Sequence, residues 1–359
     1  MNADVYSKLR AHLDTFLLAA PAADSILEIL RIRFTPEEAE IALSLGQVPQ
    51  DVAAIAKSSG RTEESLRPIL EQMADKALVL KETKGVDGVT KDVYSLLPTA
   101  VGLWETSFAK GERNPRTEQL ARYWREYYET AWARHMHGSQ TAFTRVIPVA
   151  QSIASRPEIY DYERASELIK QYDYACVLHC PCRKSAELAG KGCGKPTEVC
   201  VHFGHLARFL VEKGYARHVT QQEVLDILDL TEKAGLVHMV ANSKEMGIAI
   251  CSCCSCCCTQ LRAVVEMPKP DAYAKSRFIA QVDADMCMGC GTCDERCQFD
   301  AIHSDSGTAQ VTQEACAGCG LCVTACPADA LSLKQRDNFC EPVNTLAELA
   351  TVFAKTRTL

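Results

Sequence analysis

Two cysteine runs near the C-terminus carry the most direct chemistry: Cys287-x2-Cys290-x2-Cys293-x3-Cys297 and Cys316-x2-Cys319-x2-Cys322-x3-Cys326-Pro327. Three thiolates spaced by two residues can wrap three corners of an iron–sulfur cube. A fourth, three residues on, points away and serves a second cube. On this pattern Cys287, Cys290, Cys293 and Cys326 hold one 4Fe–4S cluster, while Cys316, Cys319, Cys322 and Cys297 hold the other. Tetrahedral zinc sites instead pair Cys-x2-4-Cys units. Two tandem triplets, each with a trailing cysteine and a Gly-Cys-Gly, do not fit that scheme.

Eleven more cysteines lie upstream: Cys176, Cys180, Cys182, Cys193, Cys200, and the run Cys251-Ser-Cys253-Cys254-Ser-Cys256-Cys257-Cys258. Cys180-Pro181-Cys182 is too short for an ordinary Cys-x2-Cys knuckle. If the run were extended, Cys251, Cys253 and Cys257 would face one way and Cys254, Cys256 and Cys258 the other. Each triplet, completed by an upstream thiolate, would hold a cluster, giving one or two beyond the first pair. Zinc, one cube with spare thiols, and a non-cubane cluster are alternatives for this set. His202 and His205 read as non-ligating neighbours of Cys200, and Cys340 as a spare thiol. The glycines of Gly190-Lys-Gly-Cys-Gly-Lys195 would let the chain fold close to a cluster.

Short elements must position these thiols. Phe278 to Val282 and Ala330 to Leu333 read as outer strands, and Ala301 to His303 with Ala309 to Val311 as an inner hairpin around Ser304 to Gly307. Residues 291–296 and 320–325 would form short helices carrying the fourth cysteines. Residues 274–336 closely resemble a bacterial two-cluster ferredoxin, which implies that fold and one-electron transfer. One departure is Gln298, where the second run has Pro327. A glutamine restores a backbone donor and weakens the kink, which bears on local geometry and potential but not on ligation.

The rest of the chain suggests a multidomain α+β protein. Residues 1–98 read as a winged-helix-like domain. Thr35-Pro36-Glu37-Glu38 opens a capped helix, a second helix spans Val48 to Ser58, and a third opens at Thr62. Strands at Ala77 to Glu82 and Val93 to Leu97 then flank the turn Gly85 to Gly88. The third helix exposes Glu63, Glu64 and Glu71, which oppose phosphate contact, while Lys81, Lys84 and Lys91 of the hairpin favour it. Docking or scaffolding is the better reading. Residues 99–171 form a mainly helical linker, with Trp124, Tyr127, Tyr128 and Trp132 as core or interface and His135 and His137 on the surface. A boundary falls near 145–160, around Pro148 and Pro157. Residues 172–265 form a Cys-rich α/β unit with a capped helix from Thr220 to Ala234 and a strand at Leu236 to Val240; residues 337–359 form a tail. This order resembles a group of winged-helix plus Cys-rich iron–sulfur proteins from strict anaerobes, whose role is largely unassigned.

Composition narrows the function. Against 39 Lys and Arg stand 46 Asp and Glu, a net charge of −7, which disfavours a large nucleic-acid footprint and suits a soluble redox partner. Twenty cysteines in clustered spacings, with no basic-then-apolar leader, point to metal rather than disulfides and to the cytoplasm. No apolar run approaches the roughly eighteen residues of a membrane span. No phosphate loop or dinucleotide fingerprint is present, so flavin or nicotinamide would sit on a partner. The leading expectation is an electron carrier or redox subunit relaying low-potential electrons to or from an oxidoreductase or soluble redox protein, rather than a stand-alone enzyme. Two rivals are a reductase with an open-site cluster beside Arg183 and Lys184, and a redox-sensing DNA-binding regulator.

Overall fold

Contacts within the chain define two units. The first comprises Met1–Gly138 with Cys176–Cys193 and Gly204–His218; the second comprises Ser139–Ala175, Gly194–Phe203 and Val219–Leu359. The computed structural model describes residues 4–86, 89–153, 160–266, 269 and 272–357.

The first unit begins with helices Val5–Asp14, Asp24–Arg33 and Pro36–Ala42. Thr35 and Glu38 form the expected capping box: the Thr35 hydroxyl accepts the Glu38 N–H, and the Glu38 carboxylate accepts the Thr35 N–H at 2.8 Å. The next helix is Val52–Ser59, shorter at its start than expected. Asp51 caps it at Ala54 N, and Gln50 and Asp51 are extended, pairing with Tyr94 and Val93. Helix Glu63–Asp75 leads into antiparallel strands Val79–Val86 and Val89–Leu96, longer than the sequence suggested. Asp87 and Gly88 of the expected turn lie outside the described residues. Arg33 knits this half together. Its buried guanidinium donates to Lys76 O and Ala77 O (3.1 Å each), Thr106 Oγ1 and Ser107 Oγ (3.0 Å each).

Helix Pro115–Tyr127 continues through a π-turn at Tyr128–Trp132 into Ala133–Met136. Trp124, Tyr127, Tyr128 and Trp132 are all buried, as expected of core. Trp104 meets Trp124 edge-on with centroids 5.2 Å apart, a favourable aromatic geometry. His137 is a correction: it is 8% exposed, drawn in where the helix ends and its N–H bonds Ala133 O. Helix Pro181–Leu188 packs against Pro115–Tyr127, and helix Gly204–Glu212 against Val79–Val86.

The second unit holds an antiparallel sheet in the order Thr144–Val146, Val237–Ala241, Ala249–Cys253, Glu198–Phe203. A strand thus falls inside the expected helical linker, and Pro157 lies outside the described residues. The segment expected as one Cys-rich unit over 172–265 is shared between the two units. Thr220 and Glu223 cap helix Gln221–Lys233. Beneath it, Ser252 Oγ donates to Thr231 Oγ1 at 3.1 Å, and Thr231 Oγ1 lies 3.0 Å from His238 Nε2. In the C-terminal domain Phe278–Val282 pairs with Leu331–Gln335, and Ile302–His303 with Gln310–Val311. The tail carries its own capped helix, Leu346–Lys355.

A buried bidentate pair anchors this domain: Arg277 donates to the Glu163 carboxylate at 2.9 and 2.7 Å. Removing one member leaves an uncompensated buried charge, a loss of about 3–5 kcal/mol. Arg277→Met should therefore lower the urea midpoint of the C-terminal domain strongly, whereas the double variant with Glu163→Leu should recover much of the loss.

Candidate metal centres

Two cavities lie within the C-terminal domain. One, of about 350 Å³, is lined by Cys287, Cys290, Cys293 and Cys326, together with Met288, Ala309, Ala330 and Leu331. The other, of about 370 Å³, is lined by Cys297, Cys316, Cys319 and Cys322, with Phe299, Ile302, Leu321 and Leu333. Each cavity thus receives a triplet from one run and the trailing cysteine of the other. Short helices Thr292–Arg296 and Leu321–Thr324 carry the trailing cysteines across.

The donor set and its surroundings suit an iron–sulfur cube. The peptide N–H groups of Ala301 and Ala330 each donate to the sulfur four residues back, Cys297 and Cys326, at 3.3 Å. Ala309 N donates to Cys287 Sγ at 3.3 Å. Such donors stabilise sulfur charge and help to set potential. Burial pushes the Cys319 thiol up to about 12 and, aided by Asp294, the Cys293 thiol up to about 11. Thiolates in these apolar walls need a cation, which iron supplies. Gly289 and Gly318 let the loops close: both have positive φ, and a Cβ would strike Gly307 O in the first case and Phe278 O in the second.

The upstream cysteines sort differently from the expectation. The strand ends at Cys253, residues 255–257 turn, and helix Thr259–Val265 begins with Cys258 as its N-cap. The turn is closed by Cys258 N donating to Cys254 O at 3.1 Å. As a result the Cys253 thiol is hydrogen-bonded with Cys251 and Cys258. The sulfurs of Cys254, Cys256 and Cys257 lie within 4.8 Å of one another, those of Cys256 and Cys257 at 3.7 Å. Alternation therefore fails after Cys253, and Cys257 and Cys258 exchange sides.

Gln298 has a role that sequence reasoning missed. Its side-chain oxygen accepts the Ser255 N–H at 3.1 Å and the Ser255 hydroxyl at 3.2 Å. The glutamine in place of proline thus ties the turn of the upstream run to the residue after Cys297. Arg296, one residue before that cysteine, donates to Lys233 O at 2.8 Å and so caps the carbonyl end of helix Gln221–Lys233.

The remaining candidates come from other elements. Cys180 and Cys182 share a hydrogen bond at the start of helix Pro181–Leu188, and burial raises the Cys180 thiol further. Cys176 is buried, Cys193 is half-buried, and Cys340 is exposed. Arg183 and Lys184 are buried, and Lys184 reaches Glu187 at 3.1 Å. His202 is 1% exposed, with Nε2 3.5 Å from Cys200 Sγ. Burial pushes its pKa down to about 4, so the ring is neutral near pH 7. His205 is exposed, 3.7 Å from Glu82.

Residues 280–333 match the family model described as a 4Fe-4S dicluster domain. No match is found among curated proteins or among solved structures. The C-terminal segment is a ferredoxin-like iron–sulfur domain, and with the Cys-rich group beside it the chain has the make-up of an iron–sulfur electron-transfer protein. Among the described residues no helix is long and apolar enough to cross a membrane.

Two variants test these contacts. Gly318→Ala should lose about half of the domain's iron, measured per chain after anaerobic purification, because the loop bearing Cys316 and Cys319 cannot close. Gln298→Ala should weaken the tether by about 1–2 kcal/mol, seen as faster hydrogen exchange at the Ser255 amide with iron content retained.

Proposed function

We propose that the protein is a multi-cluster carrier that relays low-potential electrons to or from an oxidoreductase or soluble redox protein. The observation that carries this reading is the pair of four-cysteine cavities, one with an exposed thiol in its wall and the other with none. Cys290 is exposed, and beside it Met286 and Met288 are 49% and 66% exposed. The second cavity packs against the upstream cysteines: Cys319, Ala317 and Leu321 share an apolar cluster with Cys253 and Cys258.

Cys287, Cys290, Cys293 and Cys326 are assigned to the surface cluster, and Cys316, Cys319, Cys322 and Cys297 to the inner one. Bound clusters supply one-electron carriers. The chain's own part is to fix their spacing, exclude water from the inner one and tune both through peptide N–H donors. Cys254, Cys256 and Cys257 supply three thiolates of a further centre.

The N-terminal helices and hairpin read as a winged-helix-like docking or scaffolding module rather than a DNA reader. The hairpin lysines are already engaged: Lys81 with Glu71 at 2.6 Å, Lys84 with Glu82 at 2.7 Å and Lys91 with Asp51 at 2.9 Å. Phosphate binding would have to break these pairs. An oxygen-poor cytoplasm suits clusters so close to the surface.

Asp283, Asp285, Glu295, Asp300 and Asp305, all in the segment from the first outer strand through the inner hairpin that carries the first cysteine run, are exposed. A partner with a basic docking face is expected, and long-range attraction of that kind is screened by salt. Electron transfer from the reduced protein to a basic haem-protein acceptor should slow about tenfold between about 50 and 500 mM salt. Cys290→Ser should reduce transfer at every ionic strength. A chain purified without oxygen that binds zinc but no iron would sink the proposal.

A further inference from the structure

The sheet of the second unit brings together four thiols that the sequence scattered over sixty residues. In the antiparallel register Val201 faces Ile250 and His202 faces Ala249, so Cys200 lies opposite Cys251. Directly opposed side chains in such a pair have Cβ atoms about 4.5–5.5 Å apart. Side chains alternate along a strand, so Cys200, His202, Cys251 and Cys253 share one face. Ser252 is on the other, where it meets Thr231 of the covering helix. Cys258 returns to the first face from the start of helix Thr259–Val265 and is hydrogen-bonded with Cys253. Cys200, Cys253 and Cys258 are 6%, 6% and 4% exposed.

We propose that Cys200, Cys251, Cys253 and Cys258 hold an iron–sulfur cluster of their own on this sheet face, with His202 hydrogen-bonded to the Cys200 thiolate. This rests on the electron-transfer reading above. Two observations favour a redox cluster over zinc. The ligands come as Cys-x-Cys on one strand plus single residues from two other elements, which is not the paired Cys-x2-4-Cys pattern of structural zinc. The site also shares its apolar wall, including Val237, Met239, Leu261 and Tyr273, with Ala317, Leu321 and Cys319 of the inner ferredoxin cavity.

His202 gives an independent sign of a ligand. It is buried to 1% exposure, and its Nδ1 has no hydrogen-bond partner among the described residues. Its Nε2 faces Cys200 Sγ. An N–H donated to a cluster thiolate stabilises the reduced, more negative state. His202 is thus a positioning and tuning residue rather than a ligand.

The test uses the full chain purified and reconstituted without oxygen, with iron, sulfide and zinc counted per chain and reduced clusters followed by EPR. Cys253→Ser/Cys258→Ser should lose about four iron and four sulfide while the ferredoxin-domain signals persist, and Cys200→Ser, on a separate strand, should reproduce the loss. His202→Phe should keep its iron but shift one midpoint potential to a more negative value. Unchanged iron in both cysteine variants, or loss of zinc in place of iron, overturns the site. If Cys290→Ser and Cys319→Ser also leave iron unchanged, the ferredoxin reading fails with it.

Discussion

A thiolate removed from water is stable only beside a compensating charge, and that constraint runs through the second unit. Cysteines such as Cys319 are set into walls of valine, leucine, phenylalanine and alanine, where burial favours the neutral thiol. Such walls are costly unless metal cations supply the missing charge. The surrounding design follows. Peptide N–H groups are aimed at individual sulfurs, glycines clear space for tight loops, and charged side chains are kept to the rim or locked into pairs such as Arg277 with Glu163.

The ferredoxin domain is not an appendage on this framework. Val149, from the loop after the strand Thr144–Val146, donates its N–H to Cys319 O at 2.9 Å. Gln298 holds the turn at Ser255, and Arg296 caps the helix that lies over the sheet. These three contacts attach both cysteine runs to the sheet that carries the upstream thiols. They hold these regions in register by short polar bonds, alongside the apolar cluster that Ala317, Leu321 and Cys319 share with Cys253 and Cys258.

The ferredoxin domain was legible because its information is local. A spacing of two and three residues determines which thiol reaches which cavity, and short apolar runs show the strands. The upstream run was legible in composition but not in geometry. Its alternation depended on where the strand ended, at a turn closed by Cys258 N on Cys254 O and held at Ser255 by Gln298, forty-three residues away. The burial of His137 depended likewise on how the chain turned after a helix. The glutamine itself was visible as a departure from proline, but its side chain mattered more than the backbone donor it restored. The two-unit division was hidden for another reason: composition changes along the chain suggest boundaries, whereas the units here are built from segments that alternate.

That alternation limits how the protein can be modular. The chain leaves the first unit after Gly138, returns at Cys176, leaves again after Cys193, returns at Gly204 and leaves for the last time after His218. No single cut separates one unit intact from the other. A gene fragment beginning after His218 would carry both ferredoxin runs yet lack two of the strands against which the upstream cysteines are set. Each unit is therefore assembled from three separate stretches of chain, and neither is bounded by one pair of chain positions.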